Sequence, residues 1–263
     1  MNNQPAYTVI GSTLSTFTRT ITLGLRHKGL EYTHILEPPH SRITFSTHPF
    51  GYIPALVIHT QNEDEDIKLC ESQAIARYID RAAPEPSLNL EPGKGVALEE
   101  KMWEFVSLVA AFGKPLCSSP KVNTAADNVC FIGMPIIEFS VVEPRMKAQG
   151  KLTEEEIRAQ LEDGPIEELQ RYLEVAERLM APEGYIFGDR LTWADFFLYP
   201  IMADLRTVRE WEVVSKRLHS WMNKMDLLPE VQETAEGTLA SGLTPRPLVP
   251  RKYNRMLRPI PTA

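Results

Sequence analysis

Two short stretches carry the residues best suited to hold a small peptide. They are His48-Pro49-Phe50-Gly51-Tyr52-Ile53-Pro54-Ala55-Leu56 and Cys70-Glu71-Ser72-Gln73-Ala74-Ile75-Ala76-Arg77-Tyr78-Ile79. Pro54 stands just before an apolar run, Ala55 to Ile58, that reads as a strand. Proline cannot donate to a ladder, so it belongs at a strand's first residue or at an edge. A cis bond between Ile53 and Pro54, an uncommon and usually purposeful turn feature, would face the Ile53 backbone outward. An extended ligand could then pair with it as an added strand. Glu71-Ser72 follows a second strand, Ile67 to Cys70, and opens a helix. A helix start offers unpaired N–H groups and here a hydroxyl, which suit a carboxylate. Glu71 supplies the opposite charge for an amine. The ligand so described has an α-carboxylate and an α-amine at one end and a peptide backbone in the middle. The plain alternatives are an edge-strand proline at Pro54 and a helix cap at Glu71-Ser72.

The elements that position these residues read as βαβ followed by ββα. Tyr7 to Ile10 is a strand, Thr16 to Lys28 a helix closed by Gly29, and Tyr32 to Leu36 a second strand. The hairpin and helix quoted above complete the unit. Ala83-Pro84-Glu85-Pro86 then marks a boundary, since two prolines cannot continue a helix. Beyond Gly95 the chain reads as helices. Glu99 to Phe112 is one, Thr153-Glu154-Glu155-Glu156 is a capping-box start, and Ile166, Leu169, Leu173, Ala176, Leu179 and Met180 form an apolar face after Gly164-Pro165. Gly188-Asp189-Arg190-Leu191-Thr192-Trp193-Ala194-Asp195-Phe196 offers Thr192 as N-cap and Asp195 as the residue closing back on it. Asp195 is read as a folding residue rather than a general base.

These motifs resemble the glutathione transferase family, and the resemblance extends over most of the chain. It implies an α/β thioredoxin-like N-terminal domain plus an all-α C-terminal helical domain. The boundaries read as residues 1–83 for the glutathione-binding domain, 84–95 for a linker, 96–243 for the helical acceptor-substrate domain and 244–263 for a tail. The tail is rich in proline and carries five basic residues and no acidic one. The peptide described above is then glutathione, held by Ile53, Pro54, Glu71 and Ser72 and serving as co-substrate.

The chemistry falls to the first β–α junction, Gly11-Ser12-Thr13-Leu14-Ser15-Thr16-Phe17-Thr18-Arg19. Little of the glutathione thiol is ionised at neutral pH. A helix N-terminus lowers a thiol pKa, and a hydroxyl hydrogen bond favours the thiolate. Ser15 lies fourteen residues before Gly29, where serine-type members of the family carry their catalytic hydroxyl. Thr16 replaces the proline that often follows, and Phe17 keeps the aromatic. Ser12, Thr13, Thr16 and Thr18 leave the choice of hydroxyl open. Tyr7 is inside the strand and too early for this role. No cysteine precedes Cys70, so the thiol–disulfide chemistry of cysteine-type relatives is disfavoured.

The remaining contacts are less sharply marked. His40-Ser41 occupies the place where related classes have lysine and serine, so His40 is the candidate for the glycine carboxylate. Tyr52 departs from the lysine or glutamine often found ahead of this strand. Trp103, Ser107 and Phe112 are the candidate acceptor-site residues, although apolar residues at helical spacing also build cores. Lys114 to Glu143 reads as an insertion of the kind that carries specificity.

Composition predicts a globular core: 263 residues, 43% hydrophobic and 24% charged, enough for one large domain or two ordinary ones. The net charge of −7 gives no hint of nucleic acid. With no apolar run long enough for a membrane and no cleavable signal, a cytoplasmic location is expected. The three cysteines, Cys70, Cys117 and Cys130, are widely spaced, and neither they nor the histidines suggest a metal site. The resemblance implies a homodimer that adds the glutathione thiolate to a small hydrophobic electrophile or uses it in an isomerisation. Detoxification and a dedicated step of secondary metabolism both fit. The alternative is a non-catalytic glutathione-fold binding or regulatory module.

Overall fold

The computed structural model describes residues 6–61, 65–90, 98–111, 133–162 and 164–242. They divide into two units: residues up to Leu88 together with those from Leu227 onward, and Asn89–Asp226.

In the first unit, β1 (Tyr7–Ile10), α1 (Thr16–His27) and β2 (Tyr32–Ile35) form a parallel crossover. A single turn, α2 (Arg42–Phe45), leads to the hairpin of β3 (Ala55–Ile58) and β4 (Ile67–Cys70), and α3 (Ser72–Ala82) closes the unit. The four strands lie in the order β2-β1-β3-β4. β1 and β2 are parallel, whereas β3 is antiparallel to both of its neighbours. This is the thioredoxin-like α/β arrangement. Val9, Ile10, Leu56 and Val57 of the sheet are buried, as are Ile21, Leu23 and Leu25 of α1 and Ile75, Ala76 and Ile79 of α3. The two helices pack on each other and against the strands.

α1 ends where the sequence predicts. Gly29 enters the left-handed region at φ 64°, the conformation that costs glycine least. The preceding Lys28 is buried and fully engaged. Its Nζ meets Asp80 Oδ1 at 2.8 Å and donates to the carbonyls of Ala83 and Pro86 at 2.7 and 2.9 Å. One ammonium thus ties the end of α1 to the end of α3 and the segment that follows it.

The second unit is helical: α4 (Leu98–Ala110), α5 (Met134–Ile137), a π-helical turn (Glu138–Val142), α6 (Glu143–Ala148), α7 (Glu154–Glu162), α8 (Pro165–Leu179), α9 (Trp193–Leu205), a 3-10 turn (Arg209–Val213) and α10 (Lys216–Met225). Every residue of α9 is buried. Asp195 sits in its first turn with no exposed surface. Its carboxylate accepts from Ile186 N, Thr192 N, Thr192 Oγ1 and Trp221 Nε1 at 2.8 to 2.9 Å. Four donors on one buried carboxylate describe a fold-locking residue. The capping pair at α7 also forms, with Glu156 accepting from Thr153 N at 2.8 Å.

The chain from Leu227 to Gly242 departs from the expected boundaries. The sequence reading carries the helical domain to residue 243, yet this stretch groups with the first unit. Its helix α11 (Pro229–Glu233) packs on α1. The anchors are polar: Arg19 Nη2 donates to Val231 O at 3.2 Å, and His27 Nδ1 meets Glu230 Oε1 at 2.6 Å.

Candidate functional site

The register of the sheet gathers the candidate residues at one end. Ile10 pairs with Ala55, and Ala55 pairs with Cys70. The chain therefore leaves β1 toward Ser15, enters β3 from Ile53-Pro54, and leaves β4 toward Glu71 along the same edge row. Three sequence motifs far apart in the chain open onto one face of the unit.

At the first of these points, Gly11 is held by Gly11 N donating to Ile35 O at 3.1 Å and by His34 Nε2 donating to Gly11 O at 3.0 Å. Burial lowers the His34 pKa, and the bond to the Gly11 carbonyl opposes that shift. A Cβ at Gly11 would stand 2.3 Å from Thr18 Oγ1, so the first turn of α1 fits only over a glycine. Ser15 is the N-cap of α1. Its backbone is extended at φ −80° and ψ 117°, and its Oγ accepts from Thr18 N at 3.2 Å.

The neighbouring hydroxyls differ in what they have left to give. Thr13 Oγ1 donates its proton to Gly237 O at 2.8 Å. Ser12 is buried, and its Oγ accepts from Leu14 N at 3.1 Å. Thr16 and Thr18 are also buried. Ser15 is half-exposed, and its Oγ uses only a lone pair in the cap bond. Its own proton has no acceptor among the described residues. Phe17 is half-exposed on the same turn.

At the second point, the Ile53–Pro54 bond is cis, and Pro54 is buried at the start of β3. The Ile53 backbone takes no part in the backbone hydrogen bonds of the described residues. At the third point, Glu71 adopts φ 68°, an uncommon conformation for a residue with a side chain and one that clusters at ligand sites. It stands at the N-cap position of α3 but makes no capping bond. The capping alternative for Glu71 is therefore set aside. The first turn of α3 lacks a side-chain cap, and Ser72 begins it.

The Glu71 carboxylate is instead held by His48. His48 Nδ1 accepts from Phe50 N at 3.0 Å, and Nε2 meets Glu71 Oε1 at 3.3 Å. An acceptor role at Nδ1 puts the proton on Nε2, so the ring donates to the carboxylate. His48 is buried, whereas the Glu71 side chain is 75% exposed. His48 stands inside the quoted motif, yet sequence reasoning gave it no role. The sequence signal for it is a histidine directly before a proline, with an acidic residue at the end of the following hairpin.

His40 is exposed at φ 62°, with its N donating to Gly51 O at 2.7 Å. Its ring lies 5.9 Å from that of Phe45 and 5.3 Å from that of Tyr52. Tyr52 also meets the His48 ring edge-on at 5.5 Å. Tyr52 thus joins an aromatic cluster around both histidines.

The acceptor candidates are not assembled into a described site. Trp103 is buried on α4, Ser107 is exposed on the same helix, and Phe112 lies outside the described residues. So does most of the insertion candidate, residues 114–132, together with Cys117, Cys130 and the tail. Among the described residues, no helix is long and apolar enough to cross a membrane, and no group of three or more His, Cys, Asp or Glu side chains is placed to hold a metal ion.

Comparison with known proteins bears on this geometry. The model of the glutathione S-transferase N-terminal domain matches residues 9–87, and that of the C-terminal domain matches residues 158–224. Glutathione S-transferase F6 of Arabidopsis thaliana is 24% identical over 233 residues, covering 86% of this chain and 97% of that protein. Glutathione transferase F7 from Populus trichocarpa superposes with a TM-score of 0.60 at 20% identity, covering 88% of this chain and 98% of that one. A glutathione transferase from Phanerochaete chrysosporium, solved with oxidised glutathione, gives a TM-score of 0.59 at 15% identity over 89% of this chain and 95% of its own. These structural likenesses establish the fold. With both domain models matched in chain order, the chain belongs to the glutathione S-transferase family.

Proposed function

We propose that the protein is a serine-type glutathione transferase, in which Ser15 stabilises the glutathione thiolate for attack on a small hydrophobic electrophile. The observation that carries this reading is the state of the Ser15 hydroxyl: fixed as an acceptor by Thr18 N and left with its proton to give. A sulfur above the N-terminus of α1 receives that hydrogen bond and the favourable end of the helix dipole. Two units of thiol pKa depression would correspond to about 2.7 kcal/mol. The thiolate then forms a carbon–sulfur bond to the acceptor, and the leaving group departs or an activated double bond is protonated. Ser15 makes no covalent bond.

The γ-glutamyl end of glutathione is assigned to Glu71 for its ammonium and to Ser72 and the uncapped first turn of α3 for its carboxylate. Its cysteine backbone pairs with Ile53 beside Pro54, and His40 takes the glycine carboxylate. Phe17 lines the junction. Trp103 and Ser107 are retained as candidate acceptor contacts. A cytoplasmic homodimer is part of the same reading, supported by the exposed aromatic rings of Phe45, Phe50 and Tyr52.

Titration calorimetry with glutathione on the wild type and on Glu71→Ala tests the binding half. A loss of about 1.5–3 kcal/mol is expected, the scale of a charged hydrogen bond. Equal affinities would remove Glu71 from the site. A wild type that binds glutathione but turns over no member of a panel of electrophiles would favour the non-catalytic module.

A further inference from the structure

The segment after Leu227 runs along α1 and touches it from one end to the other. His27 meets Glu230 at 2.6 Å, Arg26 Nε lies 3.8 Å from Glu233 Oε2, and Arg19 donates to Val231 O at 3.2 Å. The contact nearest the chemistry is the bond from Thr13 Oγ1 to Gly237 O, 2.8 Å long. Thr13 is two residues from Ser15. Gly237 has φ +77°, and a Cβ there would stand 2.8 Å from Thr13 Oγ1. Only a residue without a side chain brings its carbonyl so close to that hydroxyl.

We propose that Thr13 is a positioning residue for the thiolate site and that the C-terminal segment around Gly237 is the strut that holds it. The inference rests on the reading of Ser15 given above. Between β1 and α1 the junction is braced internally by Ser15 N donating to Ser12 O at 3.1 Å and Leu14 N donating to Ser12 Oγ at 3.1 Å. Both bonds lie within the loop, so they shape it without fixing it to the rest of the unit. The Thr13–Gly237 bond spans 224 positions of sequence and supplies an external anchor at the loop's middle. A catalytic hydrogen bond is sensitive to displacements of about 1 Å. Removal of the anchor should therefore act on the acidity of the bound thiol. Glutathione affinity should be largely spared, because its assigned contacts at Ile53, Glu71 and Ser72 lie on other loops.

The test uses the full-length protein with Thr13→Val, Thr13→Ser and Gly237→Ala. Ultraviolet thiolate absorbance of the glutathione complex is titrated against pH, with glutathione Kd measured by calorimetry and kcat at neutral pH. In Thr13→Val the apparent thiol pKa should rise by about half to one unit, and kcat should fall about threefold to tenfold. Kd should stay within about twofold. Thr13→Ser should restore wild-type values, and Gly237→Ala should reproduce the valine defect. A Thr13→Val or Gly237→Ala protein with wild-type thiol pKa and kcat would overturn the proposal while leaving Ser15 in place. So would a kcat loss matched by an equal loss of affinity or left unrescued by serine. A wild-type complex without a depressed thiol pKa would overturn the Ser15 reading itself, and this inference with it.

Discussion

The Nε2–H of the buried His48 donates to Oε1 of the exposed Glu71 across 3.3 Å. The direction is fixed from the other side of the ring, where Nδ1 accepts from Phe50 N. One Glu71 oxygen is thereby engaged, and the other makes no hydrogen bond among the described residues, as the proposed ammonium contact requires. The residue beside the turn before β3 thus orients the residue after β4, which joins the two motifs into one structural device.

That relationship predicts a graded loss of glutathione affinity. His48→Ala should weaken binding by about 1 kcal/mol, less than Glu71→Ala, because it removes a neutral donor rather than the charge itself. A double-mutant cycle by calorimetry should give a coupling of about 0.5–1.5 kcal/mol. Strictly additive effects would mean that His48 supports the fold but not Glu71.

Asp195 should behave as a stability residue. Asp195→Ala strands Ile186 N, Thr192 N and Trp221 Nε1 in a buried site, and a destabilisation of about 3 kcal/mol or more follows. Chemical denaturation measures it. A variant as stable as the wild type would contradict the fold-locking role.

Glu138 predicts a pH dependence. Its Oε1 is buried without a partner among the described residues. Burial first, and then the neighbouring carboxylates of Asp204 and Glu143, raise its pKa well above the ordinary range. The folded value lies above that of the unfolded chain, about 4.3, so the native state binds the extra proton between the two. The stability this group contributes is full below the unfolded value and is lost as pH rises through the folded one. Glu138→Gln should therefore be more stable than wild type at neutral pH, by about 1 kcal/mol, with the difference vanishing in acid. Thermal melts across pH that show the opposite slope would contradict this.

The exposed rings of Phe45, Phe50 and Tyr52 predict self-association. Light scattering should give twice the mass of one chain, and replacing Phe50, which is 66% exposed, by serine should shift the population toward monomer. A concentration-independent monomer mass for the wild type would rule the homodimer out.

Much of the fold was legible because its signals are local. Pro54 before an apolar run, Gly29 after a periodic one, and Thr153 three residues ahead of Glu156 each state a backbone requirement in a residue type. Asp195 was readable for the same reason. The placement of residues 227–242 was not, because its anchors on α1 and on the junction before it include the backbone carbonyls of Val231 and Gly237. A carbonyl is present at every residue and leaves no mark in the sequence. The engagement of the Thr13 hydroxyl was equally hidden, because its acceptor is the carbonyl of Gly237 far along the chain.

The proposed chemistry has Ser15 donate a hydrogen bond to the glutathione thiolate. The most direct measurement is the pH profile of kcat for Ser15→Ala beside the wild type, with 1-chloro-2,4-dinitrobenzene or another active electrophile, and with glutathione Kd measured in parallel. Ser15→Ala should keep nearly unchanged affinity, and its kcat at neutral pH should fall by about ten- to a hundredfold, equal to about 1.4–2.7 kcal/mol of lost thiolate stabilisation. The defect should shrink as pH rises and the thiol ionises unaided. A Ser15→Ala enzyme that keeps the full rate at neutral pH would contradict it.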